Sequence, residues 1–420
     1  MRASQGWSSK RSLVTASILA STGLAACGDD AGVVGGDCEQ GKVCEASSPR
    51  SSDENAGVID EDCEQGEDCE APSLPPTIDS VDILLVVDNS KSIEPAAAQI
   101  KAELPRLINA IVTGHDGDTS FPAASSVHVG VTTSSVGPLD IDLAECLGQG
   151  GGEFLKPAEV GVTCDVSYPG FLAFEQGSAT LATVDTVSCV PLVPPGGCGF
   201  EQPLEAGLRA VSPAIDHRTA FINGSGVGDT TNAGFLREDS LLVVVVVTDE
   251  DDCSIEGGSR FFHDPNALGE NVRCALSATS LYDVNRYVEG FRGLRQGNDN
   301  VIFAVIGGVP AYFVSEEVTA DFDLASDEGA AAYFARVQSD PRMTPVADGD
   351  PYDPSTLIKP ACKQNGLTAT PPVRLLEMAA AFGPRGVLGS VCADDYGHTT
   401  GRLIRAIGQR MTEAAESAVH

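Results

Sequence analysis

Val81-Asp82-Ile83-Leu84-Leu85-Val86-Val87 runs without interruption into Asp88-Asn89-Ser90-Lys91-Ser92, and this stretch decides the fold. The first seven residues are too short for a typical helix and rich in β-branched side chains. They predict a strand buried on both faces. After the polar loop, 93–112 reads as an amphipathic helix with Ile93, Ala97, Ile100, Leu104, Leu107, Ile108 and Ile111 on one side. Pro95 suits its first turn, and Pro105 predicts a kink.

Working outward, the same alternation returns. Strands are expected at 127–133, 241–248, 301–306 and 387–391, and helices at 201–211, 277–295, 372–382 and 401–416. The run 241–248 is the most hydrophobic and so belongs at the sheet centre. In 277–295, Leu281, Val284, Val288, Phe291 and Leu294 should face inward. Alternating strands and helices predict an α/β fold: a doubly wound, mainly parallel central sheet flanked by helices, over about 80–416. Two stretches, about 138–199 and 312–370, fit no regular period. They read as irregular insertions braced by disulfides, the first with an edge strand.

The chain begins with a different composition. Arg2, Lys10 and Arg11 precede a short, mostly apolar stretch that closes with Leu24-Ala25-Ala26-Cys27. The apolar part is too short to span a bilayer, and the tetrapeptide resembles the lipobox of bacterial lipoproteins. Residues 1–26 are therefore expected to be a signal peptide and Cys27 the acylated N-terminus. Gly28, not Asp, follows the cysteine, which by analogy with enteric sorting allows the outer membrane or cell surface. Residues 27–79 are rich in Asp, Glu, Gly and Ser, too polar to offset ordering entropy, and are expected to form a disordered acidic tether. Within it Asp37-Cys38-Glu39-Gln40-Gly41 returns as Asp62-Cys63-Glu64-Gln65-Gly66.

Thirteen cysteines support an oxidising compartment. Besides Cys27, four lie in the tether and eight in the domain, both even numbers, and no CxxC pair suggests a metal thiolate site. Of the many possible connectivities, locality favours Cys146–Cys164, Cys189–Cys198, Cys253–Cys274 and Cys362–Cys392. The net charge of −34, from 60 acidic against 26 basic residues, argues against nucleic acid and against an anionic membrane surface. Contact with a membrane is expected only through the lipid anchor.

Asp88-x-Ser90-x-Ser92 follows the first strand where open α/β sheets place ligands. Alternate side chains of a tight loop converge on one point, supplying one carboxylate and two hydroxyls to a hard cation. Thr248-Asp249 follows the central strand, so Asp249 is expected beside Asp88. Together these resemble the metal-ion-dependent adhesion site of von Willebrand factor A (VWA) domains. The combination of Cys198-Gly199-Phe200-Glu201-Gln202-Pro203 with Thr248-Asp249-Glu250-Asp251-Asp252-Cys253 also resembles VWA lipoproteins of myxobacteria and relatives. The resemblance implies a Rossmann-like VWA fold and a divalent ion held by Asp88, Ser90, Ser92 and Asp249.

The third loop departs from the family pattern. Where VWA domains usually offer a Thr hydroxyl, this chain has Glu201 or Gln202. A Glu201 ligand would add negative charge and favour Ca²⁺ or Mn²⁺ over Mg²⁺. Equally, Glu201 could simply cap its helix. Asp251 and Asp252 read either as further site carboxylates that repel one another without a cation or as a solvated acidic loop. Asp321-Phe322-Asp323 and Asp348-Gly349-Asp350 lack EF-hand spacing and read as solvated loops.

No GxSxG elbow, HExxH or GxxxxGK[ST] loop occurs, so no catalytic residue stands out. The expected role is therefore a cell-envelope binding module that engages a protein or glycan through its ion. Two alternatives stay open: a metal-assisted hydrolase, with Glu201 or Glu250 as base, and a purely structural ion.

Overall fold

Strand β1 (Ser80–Val87) is buried from end to end and pairs in parallel on both sides. Its neighbours are β2 (Ser126–Thr133) and, past β3 (Phe171–Glu175), β4 (Leu241–Val247). With β5 (Val301–Gly307) and β6 (Gly386–Ser390) they form one six-stranded sheet in the order β6-β5-β4-β1-β2-β3. All pairings are parallel except the β2–β3 pair, so β3 is the antiparallel edge strand expected in the first insertion.

The computed structural model describes residues 78–136, 151–155, 170–177, 199–216, 219, 221, 225–257, 261–264, 267–295, 299–364 and 366–418. All of these belong to the unit Ala71–His420. The signal peptide, Cys27, the tether up to residue 77, and Cys146, Cys164, Cys189 and Cys198 lie outside the described residues.

Strand periodicity sends alternate side chains to two separate cores. Val81, Ile83, Leu85 and Val87 face helix α1 (Glu94–Thr113) and the C-terminal helix, while Leu84 and Val86 face the opposite layer. That layer holds α2 (Pro203–Val211), α4 (Val284–Gly293), α5 (Asp327–Gln338) and α6 (Val373–Ala381). The short α3 (Glu270–Leu276) precedes α4, and α7 (Gly397–Ser417) closes the fold beside α1. Helices on both faces of a mostly parallel sheet match the expected α/β architecture.

Helix α1 continues through Pro105, as the sequence reading of one helix over 93–112 implied. Several boundaries differ from expectation. The helix expected at 277–295 starts at Val284, because Asp283 caps it by accepting the Asn285 N–H. Leu281 instead makes a β-bridge to Ile255, Leu294 is half-buried, and Tyr287 joins the core. The stretch 312–370 is less irregular than predicted. It contains α5, capped by Ser326 and burying Ala330, Tyr333, Phe334 and Val337, and a short hairpin of Cys362–Gln364 with Leu367–Ala369. Ile78, assigned above to the tether, is buried with the core. Cys253–Cys274 and Cys362–Cys392 are disulfide-bonded, as locality suggested.

One charge sits inside the sheet. Asp82 in β1 is fully buried, against the layer that holds Leu84 and Val86. Arg237 donates to it from Nε at 2.9 Å and from its backbone N–H at 2.8 Å, and the Ser240 hydroxyl donates at 2.5 Å. The pair is fully satisfied, as a buried charge requires.

Candidate metal centre

Three strand ends meet at one level because the register aligns them. Val87 of β1 lies opposite Val247 of β4 on one side and Thr133 of β2 on the other. The residues that follow each strand, Asp88, Thr248-Asp249 and Ser134-Ser135, therefore emerge together at the carboxyl edge of the sheet. The strand order reverses between β1 and β4, which makes this edge the topological switch point of the fold.

Asp88 is fully buried and held in place by short bonds. Its Oδ1 accepts the Ser90 N–H at 2.7 Å, its Oδ2 accepts the Thr248 hydroxyl at 2.8 Å, and its own N–H donates to Val247 O at 2.9 Å. The first bond folds the loop so that Ser90 and Ser92 come within reach, their Oγ atoms 2.9 Å apart. Asn89, between Asp88 and Ser90, turns the other way and accepts the Ser135 hydroxyl at 2.7 Å. Asp249 is buried against both Asp88 and Ser92. Glu201 is buried too; its Oε2 accepts the Ser134 hydroxyl, and the Gln202 N–H donates to Ser134 O at 2.8 Å. Asp88, Ser90, Ser92 and Asp249 thus lie together at the carboxyl edge of the sheet, with Glu201 near enough to feel the charges of Asp88 and Asp249.

The electrostatics are unbalanced. Burial first, and then the adjacent Asp88 charge, push Asp249 above the usual carboxylate range. Burial and Asp88 push Glu201 well above it, with Glu250 and Asp249 adding to the shift and the Ser134 bond opposing it. Asp249 Oδ1 and Glu201 Oε1 are buried without any hydrogen-bond donor. Among the described residues no lysine or arginine forms an ion pair with Asp88, Glu201 or Asp249. Orphaned carboxylate oxygens beside two hydroxyls are the donor set a hard divalent cation takes, and the wrong one for a thiolate-seeking metal. Among the described residues no group of three or more His, Cys, Asp or Glu is arranged to hold a metal ion.

The rest of the acidic loop has a different task. Asp251 accepts the Arg374 and Leu375 N–H groups at the start of α6, at 3.1 and 3.3 Å from Oδ1. Asp252 accepts the Leu204 N–H of α2 at 3.0 Å and pairs with the Arg374 guanidinium at 3.1 Å. Each carboxylate serves one helix N-terminus, where negative charge is favoured. Neither is a solvated loop residue nor a site carboxylate, and Arg374 supplies the neutralising cation. The same contacts settle the reading of Glu201: Asp252 caps α2, the N-cap position is Gln202, and Glu201 is free of capping. Glu250 stands exposed at the rim, its N–H donating to Thr248 Oγ1 at 3.0 Å.

Sequence reasoning missed Ser134 and the role of Thr248. Ser134 follows the expected strand 127–133 directly, so its place at the carboxyl edge was a usable signal. The Cys253–Cys274 disulfide anchors the loop just beyond these residues, next to a small core of Ile255, Phe261 and Leu281.

No protein-family model matches the chain, and no curated protein matches it. Among solved structures it is similar to the pilus adhesin SpaC from Lactobacillus rhamnosus GG, in the open conformation, at 15% identity and a TM-score of 0.25. The match covers 55% of this chain and 24% of the adhesin, so the chain spans about a quarter of that protein's length.

Proposed function

We propose that this chain is a lipid-anchored envelope protein of the kind found in myxobacteria and relatives. In this reading its domain is of VWA type and uses a divalent ion to bind a protein or glycan. The observation that carries the reading is the pair of buried, donor-free oxygens, Asp249 Oδ1 and Glu201 Oε1, under the influence of the Asp88 charge and with no basic residue paired to them among the described residues. Strand order, the switch-point position and the DxSxS loop support the VWA assignment.

Asp88, Ser90, Ser92, Asp249 and Glu201 would hold Mg²⁺, Ca²⁺ or Mn²⁺. Such an ion supplies an open coordination position for a carboxylate or hydroxyl oxygen of the partner. The protein's own share is preorganisation. Thr248 and the Ser90 N–H fix the Asp88 carboxylate, the Asn89–Ser135 bond holds the loop between Asp88 and Ser90, and Ser134 orients Glu201. A carboxylate at Glu201 where the family has a hydroxyl offsets more of the ion's charge and favours Ca²⁺ or Mn²⁺.

Capture of envelope proteins and glycans by the full chain should disappear in EDTA, return with divalent metal, and be absent from Asp88→Ala under all conditions. Capture that persists in EDTA while metal still stabilises the fold would make the ion structural. The anchor has its own readout: Cys27→Ala should leave the detergent phase, and normal partitioning of that variant would remove the lipoprotein assignment.

A further inference from the structure

A second site lies along α7, away from the Asp88 cluster and sharing no residue with it. A cavity of about 640 Å³ opens between the first three turns of α7 and the segment 316–325, in the size range of small-molecule pockets. Arg106, Arg402 and Arg405 all line it. Three guanidinium groups converge here in a chain whose net charge is −34.

Two of them have unused capacity. Arg402 is buried with its guanidinium over the Tyr333 ring, 5.0 Å from the centroid, and only its Nη1 donates hydrogen bonds, to Leu388 O at 3.2 Å and to the Tyr333 hydroxyl at 3.3 Å. Arg402 has no carboxylate partner, and its Nε and Nη2 have no acceptor among the described residues. Arg405 forms neither a hydrogen bond nor an ion pair among the described residues. Arg106 is held by Asp116, from Nε at 3.1 Å and Nη2 at 2.8 Å. Gly401 leaves room for the gathering: a Cβ there would stand 3.3 Å from Arg106 Nη2 and 3.8 Å from Arg405 Nη1. Burial and then the neighbouring charges of Arg402 and Arg106 lower the pKa of Arg405, against the opposing pull of Asp116 and Glu316.

The surroundings agree. The N-terminus of α7 is already served by an anion, since Asp395 Oδ1 accepts the Gly397 N–H at 3.0 Å, so the guanidinium groups and not the helix end are the free donors here. His398, its pKa lowered by burial and by Arg402 and Arg405, bonds to Thr319 Oγ1 at 3.0 Å. Phe322, Leu324 and Ala406 supply an apolar wall, and Glu316 and Asp323 complete the rim.

We propose that this cavity binds a small molecule with an oxyanion head, phosphate or carboxylate, and an apolar body. Arg402 and Arg405 receive the head, since planar guanidinium donors match such oxygens, and the Phe322 side of the cavity receives the body.

Calorimetric titration of the full chain, in EDTA so that the Asp88 cluster cannot contribute, tests this with phenyl phosphate, phenylacetate and inorganic phosphate. At least one phenyl probe should bind saturably and more tightly than inorganic phosphate. Preference for phenyl phosphate assigns a phosphate head, and preference for phenylacetate a carboxylate head. Arg405→Gln should weaken binding about tenfold or more, the loss expected for a charge-assisted hydrogen bond. Its melting temperature without ligand should change little, because among the described residues Arg405 loses no hydrogen bond or ion pair, only longer-range attraction to Asp116 and Glu316. Arg402→Gln, checked for folding by circular dichroism, should abolish binding. Absence of saturable binding for all three probes, or unchanged affinity in Arg405→Gln, overturns the proposal.

Discussion

Divalent metal at about 100 times its dissociation constant is expected to stabilise the domain by about 2.7 kcal/mol, and Asp88→Ala to remove that gain entirely. In a domain of this size the gain corresponds to a melting-temperature rise of roughly 5 °C. The magnitude follows from linkage: an ion that binds only the folded state stabilises it by its own occupancy. Asp88 is the decisive position because it contacts Ser90, Thr248 and Asp249 together, so its removal dismantles the loop as well as one ligand. Asp249→Ala should cost less of the shift if its contact runs through water. Differential scanning fluorimetry with and without EDTA reads both variants. A metal-induced shift of full size in Asp88→Ala would contradict the assignment.

Arg237→Met is expected to destabilise the fold by about 3–5 kcal/mol, independently of metal. The substitution keeps the aliphatic stem and removes the charge that neutralises Asp82, whose carboxylate has no exposure to solvent. The Ser240 hydroxyl and the backbone N–H of residue 237 remain without charge, and the His128 Nδ1, 3.5 Å from Asp82 Oδ1, is engaged with Phe235 O at 2.9 Å. Because the cost is that of an uncompensated buried charge, Asp82→Leu combined with Arg237→Met should recover most of it. Denaturant titrations of the single and double variants test the pair. A single-variant loss below about 1 kcal/mol would mean that Asp82 finds water or a proton without difficulty.

The sheet was legible because its strands are extreme. Leu241–Val247 is apolar at every position, and only a strand covered on both faces accommodates that. The helices were legible where spacing and caps agree, as in α1, whose inward residues match those read from the sequence. Errors arose where a local capping bond overrode periodicity. Asp283 starts α4 seven residues later than the apolar spacing suggested. The α5 pattern of Ala330, Tyr333, Phe334 and Val337 behind Ser326 was readable, yet the many Asp, Gly and Pro residues around it suggested a loop.

The placement of the candidate residues was legible, and that of their supports was not. Asp88, Ser90, Ser92 and Asp249 follow strands whose neighbourhood the α/β pattern predicts. Ser134 and the pairing of Arg374 with Asp252 depend on contacts between segments far apart in the chain, 67 residues for Ser134 with Glu201 and 122 for Arg374 with Asp252. Spacing along one sequence carries no record of those. Charge repulsion in Thr248-Asp249-Glu250-Asp251-Asp252 was read as a demand for metal, and half of it is met by Arg374 and two helix ends.

The central claim is that these oxygens hold one divalent ion, and titration calorimetry of the metal-free full chain with Ca²⁺, Mn²⁺ and Mg²⁺ tests it most directly. The account predicts one ion per chain, Ca²⁺ or Mn²⁺ bound more tightly than Mg²⁺, and no binding of any of the three to Asp88→Ala. Absence of binding in the native chain, or equal stoichiometry and affinity in Asp88→Ala, would contradict it.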